Sequence, residues 1–294
     1  MTTTPENHNA DEHYYIPHGS HWPVVGSVGL FCLMLGVSTW LNGADSGFYI
    51  MLSGFAIIIF MLAGWFSTVI GESIGGLYND QVDKSFRQGM FWFIFSEVMF
   101  FAAFFGALFY ARNMSIPWLG GGSNNFFTNL LLWEGYESTW PSNGPGNIGG
   151  EYEAMAPLGL PLVNTILLLS SSITITIAHH ALLAGKRVQL TAFLAATFVL
   201  GFTFVYFQGV EYMEAYAHLN LKLTSGIYGS TFFMLTGFHG MHVTIGAIML
   251  TIIWFRVLKG HFSADKHFAF EAVAWYWHFV DVVWVGLYVF VYWM

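Results

Sequence analysis

The sequence predicts an all-α membrane protein with seven transmembrane helices. Three observations carry that prediction. Over half of the 294 residues are apolar and only 9% are charged, against about 25% charged in a soluble domain. The apolar residues fall into seven runs near or above the roughly 20 residues that cross a bilayer. The nine Lys and Arg residues then sort largely to one side of seven spans, as cytoplasmic cations do. A missed or extra helix would scramble that sorting.

The first run, VVGSVGLFCLMLGVSTWL at residues 24–41, is short. A polar tail, MTTTPENHNADEHYYIPHGSHWP at 1–23, precedes it and holds no Lys or Arg. A secretory signal opens with a positive region, so the first run reads as a retained span. The second and third spans are 48–70 and 88–111. Pro157 and Pro161 open the fourth, 158–180, where a helix tolerates proline best. The fifth is 188–213. The sixth and seventh, 226–256 and 268–293, are long enough to tilt or to extend past the membrane.

Lys84 and Arg87 lie between spans two and three, and Lys186 and Arg187 between four and five. Arg256, Lys259 and Lys266 lie between six and seven. These seven share the side of the N-terminus. Arg112 and Lys222 fall on the other side. The expected topology is N-terminus in and C-terminus out. One connection is out of scale: 113–157 has no cation and contains GGGSNN and PSNGPGNIGG. Its Trp118, Trp133, Tyr136, Trp140 and Tyr152 favour order. It reads as an outside lid on this subunit or a neighbour, with a loop of no role as the alternative.

Composition also excludes. A net charge of −8 argues against a nucleic-acid partner. Cys32 is the sole cysteine, so an intrachain disulfide framework and a CxxC metal site are ruled out. Within an apolar run, Cys32 reads as a small buried hydrophobe.

Titratable groups inside spans carry the functional question, because a charge at the bilayer centre costs about 3 kcal/mol by insertion scales. Glu97 lies in the third span, Glu211 and Glu214 near the outer end of the fifth, and His239 and His242 in the sixth. Glu271, His278 and Asp281 lie in the seventh. At 100° per residue Glu271 and His278 share a direction, with Asp281 about 80° away. Three readings stay open from pattern alone. A redox metal could use the HxxH pair or His179–His180, but those pairs do not converge along the chain. A proton or ion pathway needs a continuous ladder that spacing does not reveal. Structural polar locks between helices are the third reading, with Gly237, Gly240 and Gly246 allowing close backbone approach.

Four longer segments go further. RQGMFWFIFSEVMFFAAFFGALFYA, AHHALLAGKR, YGSTFFMLTGFHGMHVTIGA and FEAVAWYWHFVDVVWVGLYVFVYW closely resemble subunit III of cytochrome c oxidases. The likeness runs in order from the third span to the C-terminus, broken by the long loop. It is weaker over the first two spans, where Trp22–Pro23 and VIGES at 69–73 fit. The resemblance implies membership of a heme–copper oxidase complex that reduces O₂ to water with electrons from cytochrome c and pumps protons. It implies that heme and copper sit in the partner subunits I and II, and that this chain holds no metal and no catalytic residue. Cytochrome c would donate to the complex, not through this chain.

The family fold implies two helices (24–71) separated by a V-shaped, phospholipid-filled cleft from a five-helix bundle (88–294), with a cytoplasmic loop at 72–87. Glu97 matches the family's carbodiimide-reactive buried carboxyl, a candidate proton-linked group with His239 or His242 as neighbour. Arg256 and His261, in FRVLKGHF, match residues that hold a phospholipid head group. Glu72 and Trp65 match the other wall of the cleft. There the sequence departs, with Gly71 where relatives often have Arg and GGLYND where a Gly-His-His run is common. The interior acids and histidine of the last span, Glu271, His278 and Asp281, become expected polar locks. In the tail, His8, His13, His18 and His21 form a candidate proton-collecting surface, a merely solvated tail being the alternative. The expected setting is a bacterial inner membrane. A quinol-oxidising heme–copper oxidase is the nearest alternative, and a stand-alone channel or transporter the contrasting class.

Overall fold

The computed structural model describes residues 15–16 and 19–293. Its elements are α1 (Trp22–Leu41), α2 (Ser46–Ile74), α3 (Asp80–Tyr110), a π-helical turn (Ala111–Ser115), α4 (Ile116–Leu119) and α5 (Phe126–Leu132). There follow α6 (Leu160–Leu183), α7 (Arg187–Ala217), α8 (Gly226–Leu258), α9 (Phe268–Leu287) and a closing π-helical segment (Tyr288–Trp293). No strand occurs among the described residues. Seven of the helical stretches are long and apolar enough to cross a membrane, so the chain is a multi-pass membrane protein. His8, His13 and His18 lie outside the described residues. His21 precedes α1, its ring 4.3 Å from that of Trp22.

The helices outrun the apolar segments. The connection expected at 72–87 shrinks to 75–79, because α2 continues to Ile74 and α3 starts at Asp80. Lipid sets where apolar residues must lie, not where the backbone ladder stops. Past the bilayer, polar residues keep the ladder going. The Asn79 Oδ1 accepts from the Val82 N–H at 3.0 Å and caps α3. Asp80 and Asp83 occupy its first turn, where the helix dipole favours negative charge. Arg87 Nε then meets Asp83 Oδ2 at 2.6 Å, one turn on.

The described residues divide into two compact units, one ending at Gln88 and the other starting at Gly89. In the first, a short turn after Leu41 folds α2 back against α1. Three glycines set the approach. A Cβ on Gly36 would fall 2.2 Å from the Met51 nitrogen, one on Gly47 2.2 Å from the Trp40 nitrogen, and one on Gly54 2.3 Å from the Leu33 nitrogen. The two backbones touch, which is how helices gain packing energy when lipid removes the hydrophobic drive.

In the second unit α6, α7, α8 and α9 close a ring, each packing on the next and α9 returning to α6. The ring's core follows from α8. Its buried positions Tyr228, Phe232, Leu235, His239, His242, Gly246, Leu250, Ile253 and Val257 repeat every three or four residues, a helix face turned inward. Trp277 and Trp284 of α9 are fully buried against it. Hydrogen bonds cross between helices: Trp277 Nε1 donates to Ser171 Oγ at 2.9 Å, and Trp284 Nε1 to Thr165 Oγ1 at 2.9 Å. The part of α3 after Gly89 meets this ring through aromatic side chains, such as Phe101 on Phe279 and Phe100 on Phe238.

Gly240 and Gly246 of α8 act differently from expectation. A Cβ on Gly246 would strike the Trp277 ring at 2.8 Å, and one on Gly240 the Gln208 side chain at 2.8 Å. They make room for large side chains from neighbouring helices, not for neighbouring backbones. Gly201 does the same for Trp277 from α7, at 2.5 Å.

The long connection after α3 is folded, and it docks on the turn between α7 and α8. Glu153 N–H donates to Leu219 O at 3.0 Å and Tyr228 N–H to Ser142 O at 3.2 Å. Asn220 Nδ2 donates to Gly149 O and Glu151 O at 3.2 and 2.9 Å. Trp140 and Tyr152 pack on the Tyr228 ring. Burial, aided by the nearby Tyr136, pushes the Tyr152 hydroxyl up to about 12, so it stays neutral. Gly226, at φ +63° and within 2.4 Å of Asn143 by its absent Cβ, is the position that lets loop and helix start meet.

Candidate functional site

Polar groups inside the second unit gather in four places. The first joins α3 to α8. His242 Nδ1 lies 2.6 Å from the Phe238 carbonyl. A carbonyl oxygen only accepts, so Nδ1 carries a hydrogen. His242 Nε2 then faces Glu97 Oε2 at 2.9 Å. Either a carboxylic acid donates to Nε2, or an imidazolium donates to a carboxylate. One proton bridges the pair in both cases, and its net charge is zero in both. Phe100, Phe101, Tyr276 and Phe279 surround the imidazole, and the Tyr276 hydroxyl donates to the His242 carbonyl at 3.3 Å. His239 does not join this pair. It is fully buried, its Nε2 donates to the Val280 carbonyl at 3.2 Å, and its ring lies against Trp284.

Breaking the pair from one side should cost more than removing it. His242→Phe leaves a mostly buried carboxyl without this partner, and a loss of about 2 kcal/mol is expected, below the 3–5 typical of full burial. Adding Glu97→Leu should recover most of that loss. Thermal denaturation of the four variants in one detergent measures the coupling. Additive losses would show that the contact contributes nothing.

The second place lies toward the end of α7. Glu211 is fully buried and its Oε1 accepts from the Tyr292 hydroxyl at 2.5 Å. Gln208 Nε2 donates to Thr236 O at 2.8 Å, and the Tyr212 hydroxyl meets Thr236 Oγ1 at 2.7 Å. Glu214 is exposed. Gln208, Tyr212, Thr236 and Tyr292 went unnoticed in the sequence. The readable hint was a second polar residue, Gln208, three positions before Glu211.

The third place is α9 itself, where the three expected locks do not form one cluster. Ten residues separate Glu271 from Asp281, about 15 Å of helix at a 1.5 Å rise. His278 Nδ1 is 2.9 Å from Ser172 Oγ of α6, with its side chain 42% exposed. Asp281 is buried, its Oδ2 is 3.7 Å from His278 Nδ1, and neither oxygen makes a direct hydrogen bond. Glu271 turns to other partners: Oε1 lies 3.5 Å from His267 Nε2 and 3.8 Å from His179 Nε2. The family resemblance implied no metal on this chain. These three donors are nevertheless a set that could hold one.

The fourth place is cationic and follows the end of α8. The Arg256 guanidinium lies 4.6 Å above the Phe262 ring, and its Nε is buried without a hydrogen bond. Arg187 Nη2 donates to the Phe262 carbonyl at 2.7 Å. Burial, then the Arg256 and Lys259 charges, hold the His261 imidazole below its ordinary value. In the first unit, Glu72 is occupied by its own neighbours: Tyr15 and Tyr78 hydroxyls donate to Oε1 and Oε2 at 3.2 and 2.7 Å. Burial and that carboxylate raise the Tyr78 hydroxyl. Trp65 is exposed and stacked on Phe66.

Comparison with known proteins covers nearly the whole chain. The family model described as cytochrome c oxidase subunit III matches residues 12–294. The protein named cytochrome c oxidase subunit 3 of Lumbricus terrestris is 39% identical over 281 residues, 95% of this chain and 97% of its own length. The protein of the same name from Lemur catta is 39% identical over 280 residues, 95% and 92% of the two chains. That from Gadus morhua is 37% identical over 281 residues, 95% and 96%.

Proposed function

The chain belongs to the cytochrome c oxidase subunit III family, and on that footing we propose that it is a non-redox core subunit of a proton-pumping oxidase. The full-length likeness to proteins of that name is the observation that carries the reading. Its work is to brace subunit I, to hold phospholipid beside it, and to sustain proton uptake. Heme and copper belong to partner subunits I and II, and cytochrome c delivers electrons to the complex elsewhere. The charge count supports a cytoplasmic N-terminus and a C-terminus on the opposite side. The long 113–157 loop and acidic N-terminal tail are the support for a bacterial inner membrane with a periplasmic C-terminus.

The lipid head group lies at Arg256 and His261. The support is chemical: a buried guanidinium with an unused Nε suits a phosphate oxygen, and Arg187 adds a second cation at the same segment. Glu72 and Trp65 serve a different purpose in this reading than a phosphate would need. A carboxylate cannot attract one, so they contribute tyrosine anchoring and an apolar surface for acyl chains. Glu97 and His242 form the proton-linked pair in this reading, supported by their direct contact at 2.9 Å between α3 and α8.

The test is isolation through an affinity tag on this chain. In mild detergent it should bring down a complex with heme absorbance and oxidase activity, and the donor that sustains turnover separates cytochrome c from quinol. The same preparation should retain bound phospholipid phosphorus that Arg256→Gln loses. Recovery of this chain alone from native membranes, with no heme in the eluate, would overturn the proposal. So would an ion flux through the chain reconstituted by itself.

A further inference from the structure

We propose that His179, His267 and Glu271 form a binding site for a divalent transition-metal ion of the zinc class, clipping the end of α6 to the start of α9. Three chemically suitable donors converge from residues 88 and 92 positions apart in the sequence. His179 is one turn from the end of α6, His267 is the residue immediately before α9, and Glu271 lies in the first turn of α9. Glu271 Oε1 is 3.5 Å from His267 Nε2 and 3.8 Å from His179 Nε2, and one ligand atom from each residue lies within 4.8 Å of the others.

Tetrahedral zinc with bonds of about 2.0–2.1 Å holds its ligands about 3.3 Å apart. The observed spacings need each donor to move by roughly 1 Å or less to close on an ion. The distances are long for hydrogen bonds, and His179 Nε2 is buried with no hydrogen bond at all. That nitrogen is aimed at the carboxylate without being satisfied by it, which is the arrangement an intervening cation completes.

The surroundings suit such a site. Two imidazoles and one carboxylate are the protein donors of an open zinc site, with water in the fourth position. The side chains are 29%, 10% and 16% exposed for His179, His267 and Glu271, so an ion and one water can reach them. The carbonyl end of α6 carries partial negative charge that offsets the positive start of α9. The Phe270 ring packs against that of His179, 5.6 Å between centroids and tilted by 34°. Lys266, the adjacent cation, is exposed to solvent and screened. His267 leads into α9 and Glu271 follows four residues later in its first turn, so the start of the helix presents both as a preformed pair 3.5 Å apart.

The experiment uses the full-length chain purified in detergent with its associated subunits, freed of loose metal by a chelator. Zn²⁺ is titrated against a competing fluorescent chelator. The parent should bind about one equivalent more than either His179→Asn or His267→Asn, and His218→Asn should match the parent. Should the variants fail to assemble, the parent alone decides. Diethyl pyrocarbonate labelling read by mass spectrometry should fall at His179 and His267 when Zn²⁺ is present, and stay constant at the exposed His218. Equal zinc stoichiometry in parent and variants overturns the site, as does labelling of His179 and His267 that Zn²⁺ leaves unchanged.

Discussion

Replacing Trp277 by alanine should destabilise the second unit by about 3 kcal/mol, the lower end of the range for deleting a buried aromatic ring. The lower end applies because lipid, not water, surrounds the separated helices, so the transfer part of the usual loss is small. What remains is packing. The ring is fully buried and fills space left by Gly201 on α7 and Gly246 on α8. Neither glycine can move in to close the void, because each lies on a helix held by other contacts. Ser171 Oγ also loses the indole N–H at 2.9 Å. Trp277→Phe separates the two contributions. It keeps most of the ring and loses the hydrogen bond, which is worth about 0.6 kcal/mol between membrane helices. Denaturation by a harsh detergent, titrated into the mild one, reads both. A Trp277→Ala loss no larger than that of Trp277→Phe would mean that the ring does not organise the four-helix ring.

Gly54→Leu should separate α1 from α2. Its Cβ would lie 2.3 Å from the Leu33 nitrogen and 2.8 Å from the Cys32 carbonyl carbon. These are backbone atoms, so no rotamer change relieves the clash and the helices must move apart by more than about 1 Å, forfeiting much of the contact. Gly36→Leu should act alike through Met51, and the pair should add little beyond either alone. The single native cysteine provides the measurement. A cysteine at Ser53, beside the Gly54 contact, should cross-link to Cys32 with a short bifunctional reagent in the parent background. The yield should fall severalfold with Gly36→Leu. Unchanged cross-linking would show that α1 and α2 do not depend on these glycines.

These cases mark where sequence and structure diverge. The spans were legible because lipid imposes a simple demand, about 20 apolar residues, on each of them. Their ends were not, since hydrogen bonding continues through polar turns such as Asp80–Gln88. The interior polar residues could be identified singly, because each is costly where it lies. Their pairing could not. Glu97 had two candidate histidines one turn apart, and only the packing of α3 on α8 selects His242. Two of the three members of the His179–His267–Glu271 cluster were readable as the i, i+4 spacing of His267 and Glu271. The third, His179, needed the contact of α6 with α9. The glycines of α1 and α2 left a trace as well, Gly29 to Gly36 and Gly47 to Gly54, each seven residues apart. That spacing places them on one stripe of each helix, a sign of close approach that the seven-span count alone did not use.

The bond between Glu97 and His242 also bears on how the chain is made. The two residues are 145 positions apart. At about 5–20 residues per second of synthesis, α3 emerges roughly 7–30 s before the imidazole that completes its carboxyl. During that interval the third span sits in the translocation machinery or the bilayer with a polar group whose final partner does not yet exist. Residence of α3 beside the insertion channel until α8 arrives is the simplest way to shelter it. The stability of the finished bundle and the order of its biogenesis are therefore coupled through one residue pair.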